Sequence, residues 1–236
     1  MNTEIFGIIA MFGVTLLIAI PLGKYMAKVY AGERTLLDPV FNPLERMFYR
    51  ISGINPKNNM TWQQHLVAML TINLLWFLMG MLILMNMESL PLNPDGNPNQ
   101  SADLAFNTTI SLLVNCNLQH YSGETGISYL GQMWLMFLQF VTAATGMAAA
   151  VVVLKAFREK STRQLGNFYD YFLKSNTRIL LPLSLIIGAI LVFQGTPMTL
   201  EGKDTMITMQ GDTVQVSTGP AAAFIPIKHV GTNGGG

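Results

Sequence analysis

A polar stretch at residues 112–125, LLVNCNLQHYSGET, holds the groups in this chain that are best suited to chemistry. It is rich in asparagine, glutamine and glycine and lies between long apolar segments. Unpaired amides in hydrocarbon are costly, so irregular backbone at membrane depth is tolerated only when it is buried in protein or lines a watery cavity. Carbonyl oxygens aimed inward can replace the hydration shell of a monovalent cation. The alternative is an outer loop without a transport role.

Cys116 and His120 are the pair in this stretch whose side chains suit zinc binding or nucleophilic catalysis. Two ligands are too few for a structural zinc site, and the sequence offers no second cluster. A thiol nucleophile would need an oxyanion pocket, which no motif here indicates. We therefore interpret Cys116 and His120 as incidental loop residues rather than as a zinc site or a catalytic pair.

The composition around this stretch is that of a membrane protein. Half of the 236 residues are apolar, 11% are charged, and the mean hydropathy is +0.38. An ordinary soluble domain carries about twice that share of charge. The basic residues are spread along the chain without a dense run, which argues against nucleic-acid binding.

Four segments with little or no charge are candidates to cross the ~30 Å of hydrocarbon in a bilayer. They cover residues 5–22, 66–87, 125–154, and 179–193 extended through 198. The first lacks a basic leader and a cleavage pattern, so we interpret it as an uncleaved helix rather than a signal peptide. The third is rich in alanine and glycine, which let helices pack closely in lipid.

The distribution of Lys and Arg predicts the orientation. Of the fourteen, six lie between the first and second spans and six around the connection from the third to the fourth. The positive-inside rule makes these two connections cytoplasmic. The N-terminus and residues 88–124 and 196–236 are then expected outside the cell.

A short helix is predicted to enter the membrane from outside and end partway. Ser101 and Asp103 can cap a helix over about 104–114, which at 1.5 Å per residue is only about 16 Å long. It is too short to cross and leads directly into Asn115. Span, short helix, polar loop and span together form a pore unit.

A second short helix is predicted in STGPAAAFIPIKHV, residues 217–230, leading into GTNGGG at 231–236. Ser217 or Thr218 can cap it, and Pro220 suits its first turn. Pro226 is expected to kink or end it.

The two units recur at nearly one period, as in transport folds that are built from internal repeats. Aligning Cys116-Asn117 with Thr232-Asn233 gives an offset of 116, and the spans that begin at Leu66 and Ile179 are 113 apart. The sequence therefore predicts an all-α integral membrane protein with about four transmembrane helices and two re-entrant pore helices. Its predicted parts are an extra helix and cytoplasmic loop at 1–62, a first pore repeat at 63–155, and a second repeat at 156–236.

Several motifs resemble the potassium-binding A-subunit family (KdpA) of the Kdp-type potassium-transporting ATPases of bacteria and archaea. They are NCNLQHYSGETGISYLGQM, GTNGGG, PLNP at 91–94 and LGNFYDYFLKSNTRILLPLSL from residue 165. The resemblance implies a channel-like subunit with four span-loop-span repeats in one chain, of which this sequence would be an N-terminal portion. It also implies three partners: the P-type ATPase subunit KdpB, the assembly subunit KdpC and the small peptide KdpF.

The resemblance also implies which residues form the potassium filter. The first loop falls on Asn115, Cys116, Asn117, Leu118 and Gln119, and the second on Gly231, Thr232, Asn233, Gly234 and Gly235. Family sequences read close to Thr-Asn-Thr-Asn-Trp-Gln in the first loop, so Val114, Cys116 and Leu118 depart from the pattern, and His120 replaces a small polar residue. Backbone carbonyls at Cys116 and Leu118 can still coordinate an ion, whereas a thiol is a poor ligand for a hard cation.

Two further side chains are expected to support the filter. Gln119 should be a buried amide that is hydrogen-bonded to neighbouring loops. Glu124 is expected to hold the first loop, with cation attraction and simple solvation as the alternatives.

The expected function is potassium binding and translocation in an ATP-driven uptake pump of the prokaryotic cytoplasmic (inner) membrane. No phosphate-binding glycine loop is visible, so ATP use is expected on the partner subunit rather than on this chain. The alternatives are a passive or ion-gradient-driven transporter of the Trk, Ktr and HKT type, and a non-conducting assembly subunit.

Overall fold

The computed structural model describes residues 3–158 and 165–231 in two compact units, Met1–Ile54 and Asn55–Gly236. The first unit holds the helices α1 (Thr3–Ala31) and α2 (Asp38–Ser52). The helices of the second unit are α3 (Trp62–Leu84), α4 (Ala102–Leu113), α5 (Tyr129–Arg158), α6 (Phe168–Lys174), α7 (Leu181–Phe193) and α8 (Ala221–Val230). A π-helical segment, Ser175–Leu180, joins α6 to α7.

Four helices in the described part of the chain are long and apolar enough to cross a membrane, which confirms the four predicted spans. They are Glu4–Ala31, Trp62–Leu84, Tyr129–Arg158 and Phe168–Phe193. The fourth begins at Phe168 rather than at Ile179, because polar groups near its start are satisfied locally. Asn167 caps the helix by accepting from the N–H groups of Tyr169 and Asp170, and Lys174 pairs with Asp170 at 2.9 Å.

The π-helical segment has a local cause in Pro182. A proline lacks the N–H for a helical hydrogen bond, and its ring crowds the carbonyl four residues earlier. The N–H of Leu181 bonds to the carbonyl of Asn176, five residues back. This wider turn lets the helix continue through the proline.

Both short helices are present, but the second departs from its predicted ends. Ser101 precedes α4 as predicted, although its side chain makes no capping hydrogen bond to the helix. The predicted cap of α8 at Ser217 or Thr218 is wrong, since the helix begins at Ala221 and Pro220 occupies the capping position. Pro226 does not end the helix: it is buried, and α8 continues to Val230.

The core of the second unit lies where α4 packs between α3 and α5. Its buried side chains include Leu84, Ala105, Leu112 and Leu138. Gly80 lets α4 approach α3 closely, because a Cβ there would lie 2.7 Å from Thr109 Cγ2. An aromatic cluster of Trp76, Trp134 and Phe137 joins α3 to α5, with ring centroids 5.0–6.1 Å apart.

A β-hairpin between α7 and α8 was not predicted. Strand β1 (Asp204–Ile207) pairs antiparallel with β2 (Thr213–Val216), and Gly211 has a φ of +90° in the connection between them. All eight strand residues are exposed. The all-α prediction is confirmed apart from this small element.

Candidate functional site

The first loop (residues 115–119) begins with two left-handed asparagines. Asn115 and Asn117 have φ values of +59° and +55°, a region that asparagine enters more readily than most residues. They follow Leu113, where α4 ends. These two residues give the loop its irregular path, as the asparagine-rich sequence indicated.

Ser111, in the last turn of α4, accepts hydrogen bonds from three N–H groups of this loop. Its carbonyl accepts from the N–H of Cys116 at 2.9 Å and from that of Asn117 at 3.2 Å. Its hydroxyl Oγ accepts from the N–H of Leu118 at 2.6 Å. Within 3–158 and 165–231, the carbonyl oxygens of the first loop accept no hydrogen bond. Three consecutive N–H groups of the loop are therefore satisfied by Ser111 of α4.

Asn115 ties the first loop to the start of the second loop (residues 231–235). Its Nδ2 donates to the carbonyl oxygen of Gly231 at 3.1 Å, across a separation of 116 residues. Its Oδ1 lies 3.3 Å from the hydroxyl of Thr142 on α5, and that hydroxyl also donates to Leu138 O at 2.8 Å. The contact joins two positions related by the offset of 116 that the repeat predicts.

The remaining predicted filter residues differ in their placement. Gly231 is buried at the end of α8, whereas Thr232, Asn233, Gly234 and Gly235 lie outside the described residues. In the first loop Asn117 is buried, while Cys116 and Leu118 are exposed. The side chains of Cys116 and Leu118 thus lie on the surface of this chain.

Gln119 corrects one expectation. It is exposed rather than buried, and its Nε2 donates to the carbonyl of Tyr121 at 3.1 Å, so its bond is local and does not reach a neighbouring loop. The two residues are close in sequence, and a short turn brings them together without any other element.

Glu124 is exposed, and its Oε2 accepts from the Ser122 hydroxyl at 2.5 Å. This hydrogen bond lowers the pKa of Glu124. The contact orders the turn that follows the first loop rather than the loop itself.

A cavity of about 290 Å³ lies beside the first loop and is lined by residues from 108–139 and from 197–228. The first range contributes Asn117, Leu118 and Gln119, and the second includes Gly219 and Phe224. Two of its lining residues, Thr108 and Asn117, are 2% and 7% exposed, and their side-chain polar atoms have no hydrogen-bond partner among the described residues. Buried polar groups normally have partners, so this cavity suits a polar occupant.

The sequence interpretation missed Ser111, Thr142 and Thr108. A serine just before the end of a short helix is a weak signal, because such residues commonly bond to their own helix. Thr142 stands among the small residues of the third span, where helix packing accounts for its size. Only the fold brings these hydroxyl groups to the first loop.

In the part of the chain that the structure describes, no group of three or more His, Cys, Asp or Glu side chains is arranged to hold a metal ion.

These features define a mostly helical, multi-pass membrane protein with two short apolar helices, α4 and α8, besides its four candidate spans. The sequence matches the family described as "Potassium-transporting ATPase A subunit" over residues 9–236, and the chain belongs to that family.

Relatives from different bacteria are similar along the whole chain. A protein of Flavobacterium johnsoniae is 64% identical over 236 residues, one of Phocaeicola vulgatus 54% over 237, and one of Caldanaerobacter subterraneus subsp. tengcongensis 42% over 236. Each is named "Potassium-transporting ATPase potassium-binding subunit". All of this chain is covered in these matches, but it spans only 41–42% of the length of these relatives.

Proposed function

We propose that this chain forms part of a potassium-binding, channel-like subunit of an ATP-driven potassium uptake pump, with its filter on the extracytoplasmic side. The observation that carries the proposal is the hydrogen bond from Asn115 to Gly231. It joins equivalent positions of the two proposed pore repeats, so it holds the first residues of the two loops next to each other. The names of the relatives supply the ion and the coupling to an ATPase.

The backbone of the first loop suits a dehydrated monovalent cation. Three N–H groups bond to Ser111, which leaves the loop carbonyls free to replace water around an ion. Cys116 and Leu118 take part through their backbone, since a thiol and an alkyl group are poor ligands for a hard cation. We assign the filter to Asn115, Cys116, Asn117, Leu118, Gln119 and, in the second loop, Gly231, Thr232, Asn233, Gly234 and Gly235.

The energy for uptake would come from another subunit. We infer that this chain does not hydrolyse ATP and that the P-type ATPase subunit KdpB does, with KdpC and KdpF as further partners. The site would lie in the prokaryotic cytoplasmic membrane with the N-terminus outside, since the basic connections favour that orientation. The proposed parts are 1–62, the first repeat at 63–155 and the second at 156–236.

The test is Asn115→Ala in the assembled complex, with Asn99→Ala as the matched control. Both asparagines bond to main-chain groups, but Asn99 accepts from the Glu88 N–H in the outer loop, away from the filter. We expect Asn115→Ala to raise the apparent KM for potassium and to weaken discrimination against rubidium. Asn99→Ala should leave both unchanged.

An unchanged KM and ion preference in Asn115→Ala would contradict the proposed filter. Transport with and without the ATPase partner then separates the function classes. Uptake that persists without ATP would indicate a passive or gradient-driven transporter, and binding without any transport would indicate an assembly subunit.

A further inference from the structure

Helix α2 exposes an apolar stripe that its own unit leaves uncovered. Because successive residues of an α-helix are rotated by about 100°, positions i, i+4, i+7 and i+11 lie on one face. On α2 this face holds Val40, Leu44, Met47 and Ile51, of which Val40 and Ile51 are 66% and 76% exposed. The helix therefore has one buried face and a second, exposed apolar face.

The buried face is a different one. Phe41 and Glu45 are buried, and they lie roughly 100° or more from the centre of the stripe. Burial on one side fixes how the helix is rotated, so the exposed stripe is not a consequence of a loosely placed helix.

Basic residues flank the stripe on its other side. Arg46 and Arg50 are exposed and one turn apart, and within the described ranges neither forms an ion pair. Lys24, Lys28 and Arg34 precede the helix and are also exposed. An apolar stripe bordered by arginines matches a surface with an acyl interior and negative headgroups.

The position of α2 along the chain places it close to a bilayer surface. Residues 32–37 connect it to the end of α1, and a connection of that length spans at most about 20 Å when extended. Helix α1 is a candidate span whose apolar side chains are exposed along its length, as expected of a lipid-facing helix. Leu36, in the connection, is 90% exposed and continues the apolar surface toward α2.

We propose that α2 lies in the membrane interface, with Val40, Met47 and Ile51 in the acyl region and Arg46 and Arg50 on anionic headgroups. The helix is too short and too polar to be a span, which leaves an in-plane orientation. Anionic lipid would then set the position of the connection between the first two spans. This inference is independent of the ion filter.

The test compares adjacent residues with opposite expectations. We would make two variants of the full chain, Ile51→Cys and Arg50→Cys, each in a Cys116→Ser background. The new cysteine carries an environment-sensitive fluorophore. Each labelled variant is reconstituted into vesicles of phosphatidylcholine with phosphatidylglycerol. The label at 51 should be strongly quenched by brominated lipid and protected from aqueous acrylamide. The label at 50 should show the reverse.

A second comparison tests the charge. Adding Arg46→Gln and Arg50→Gln to the Ile51→Cys variant should lower the ratio of immersed to water-exposed label, by up to roughly thirty-fold for two arginines. That loss should appear in vesicles with phosphatidylglycerol and disappear in phosphatidylcholine alone.

Three outcomes would overturn the proposal. Acrylamide access at 51 would mean a solvated face, and protection from both quenchers would mean a protein partner or a second copy. Equal immersion with and without the arginines in both vesicle types would refute anionic headgroups as the partner.

Discussion

Gly80 sets the distance between α3 and the short helix α4, and replacing it should push the two apart. In Gly80→Ala the new Cβ would lie 2.7 Å from Thr109 Cγ2 and 2.9 Å from Thr109 Oγ1. Thr109 is fully buried, so it cannot swing out of the way. We expect overpacking to cost about 1–3 kcal/mol of unfolding free energy.

Gly80→Ala also raises helix propensity, and this stabilising contribution can be subtracted with a second Gly→Ala variant. Alanine is preferred to glycine inside a helix by up to about 1 kcal/mol, which would mask some of the loss. Gly146 lies inside α5, and a Cβ there meets no atom within 4 Å. The difference between Gly80→Ala and Gly146→Ala therefore isolates the overpacking cost. Denaturant unfolding of both variants in the same detergent gives that difference directly.

A double-mutant cycle tests whether the loss of stability in Gly80→Ala comes from the contact with Thr109. Thr109→Ala removes the two nearest of the three atoms that the new methyl group would meet and leaves only Trp134 Nε1 at 3.2 Å; the Thr109 Oγ1 has no hydrogen-bond partner in the described part of the chain to lose. Gly80→Ala with Thr109→Ala should recover most of the stability, with a coupling energy of about 1 kcal/mol or more. Gly80→Ala that is as stable as Gly146→Ala, or a cycle without coupling, would refute the packing argument.

Three further substitutions test the filter and the fourth span. Ser111→Ala removes the hydroxyl acceptor of the Leu118 N–H and should weaken apparent potassium affinity in uptake assays, whereas Ser111→Thr should retain it. Gln119→Arg places a fixed positive charge in the proposed filter, so we expect weaker potassium uptake and poorer discrimination against rubidium or ammonium; unchanged transport would count against the site. Asn167→Ala removes the cap of α6 and should cost about 1–2 kcal/mol in unfolding, with Asn167→Asp losing less because it keeps the acceptor.

The spans and the short helix α4 could be predicted because their signals are long or well bounded. An uncharged run of membrane length is seldom needed in a soluble domain, so its presence points to a bilayer. The start of the fourth span could not be predicted from hydropathy, since Asp170 and Lys174 interrupt the apolar run. Their mutual ion pair, at 2.9 Å, makes those charges tolerable inside a helix.

The hairpin and the cap of α8 were missed for a different reason. Strands of four residues with every side chain exposed carry no burial pattern that a sequence could reveal. Ser217 and Thr218 are good capping residues by type, but Pro220 is followed by the helix itself. The capping preference of a residue type is a weak guide to where a helix begins when several possible caps lie within a few positions.

The asparagines of the first loop and the residues at positions 116 and 118 have different structural roles. Asn115 and Asn117 adopt left-handed backbone, and Asn115 bonds to Gly231, so their side chains or conformations determine the path of the loop. Cys116 and Leu118 contribute N–H groups to Ser111, and any residue except proline supplies an N–H. Since the proposed ligands are carbonyl oxygens, we expect the proposed site to tolerate substitution at Cys116 and Leu118, while the asparagines and Ser111 keep the backbone in place.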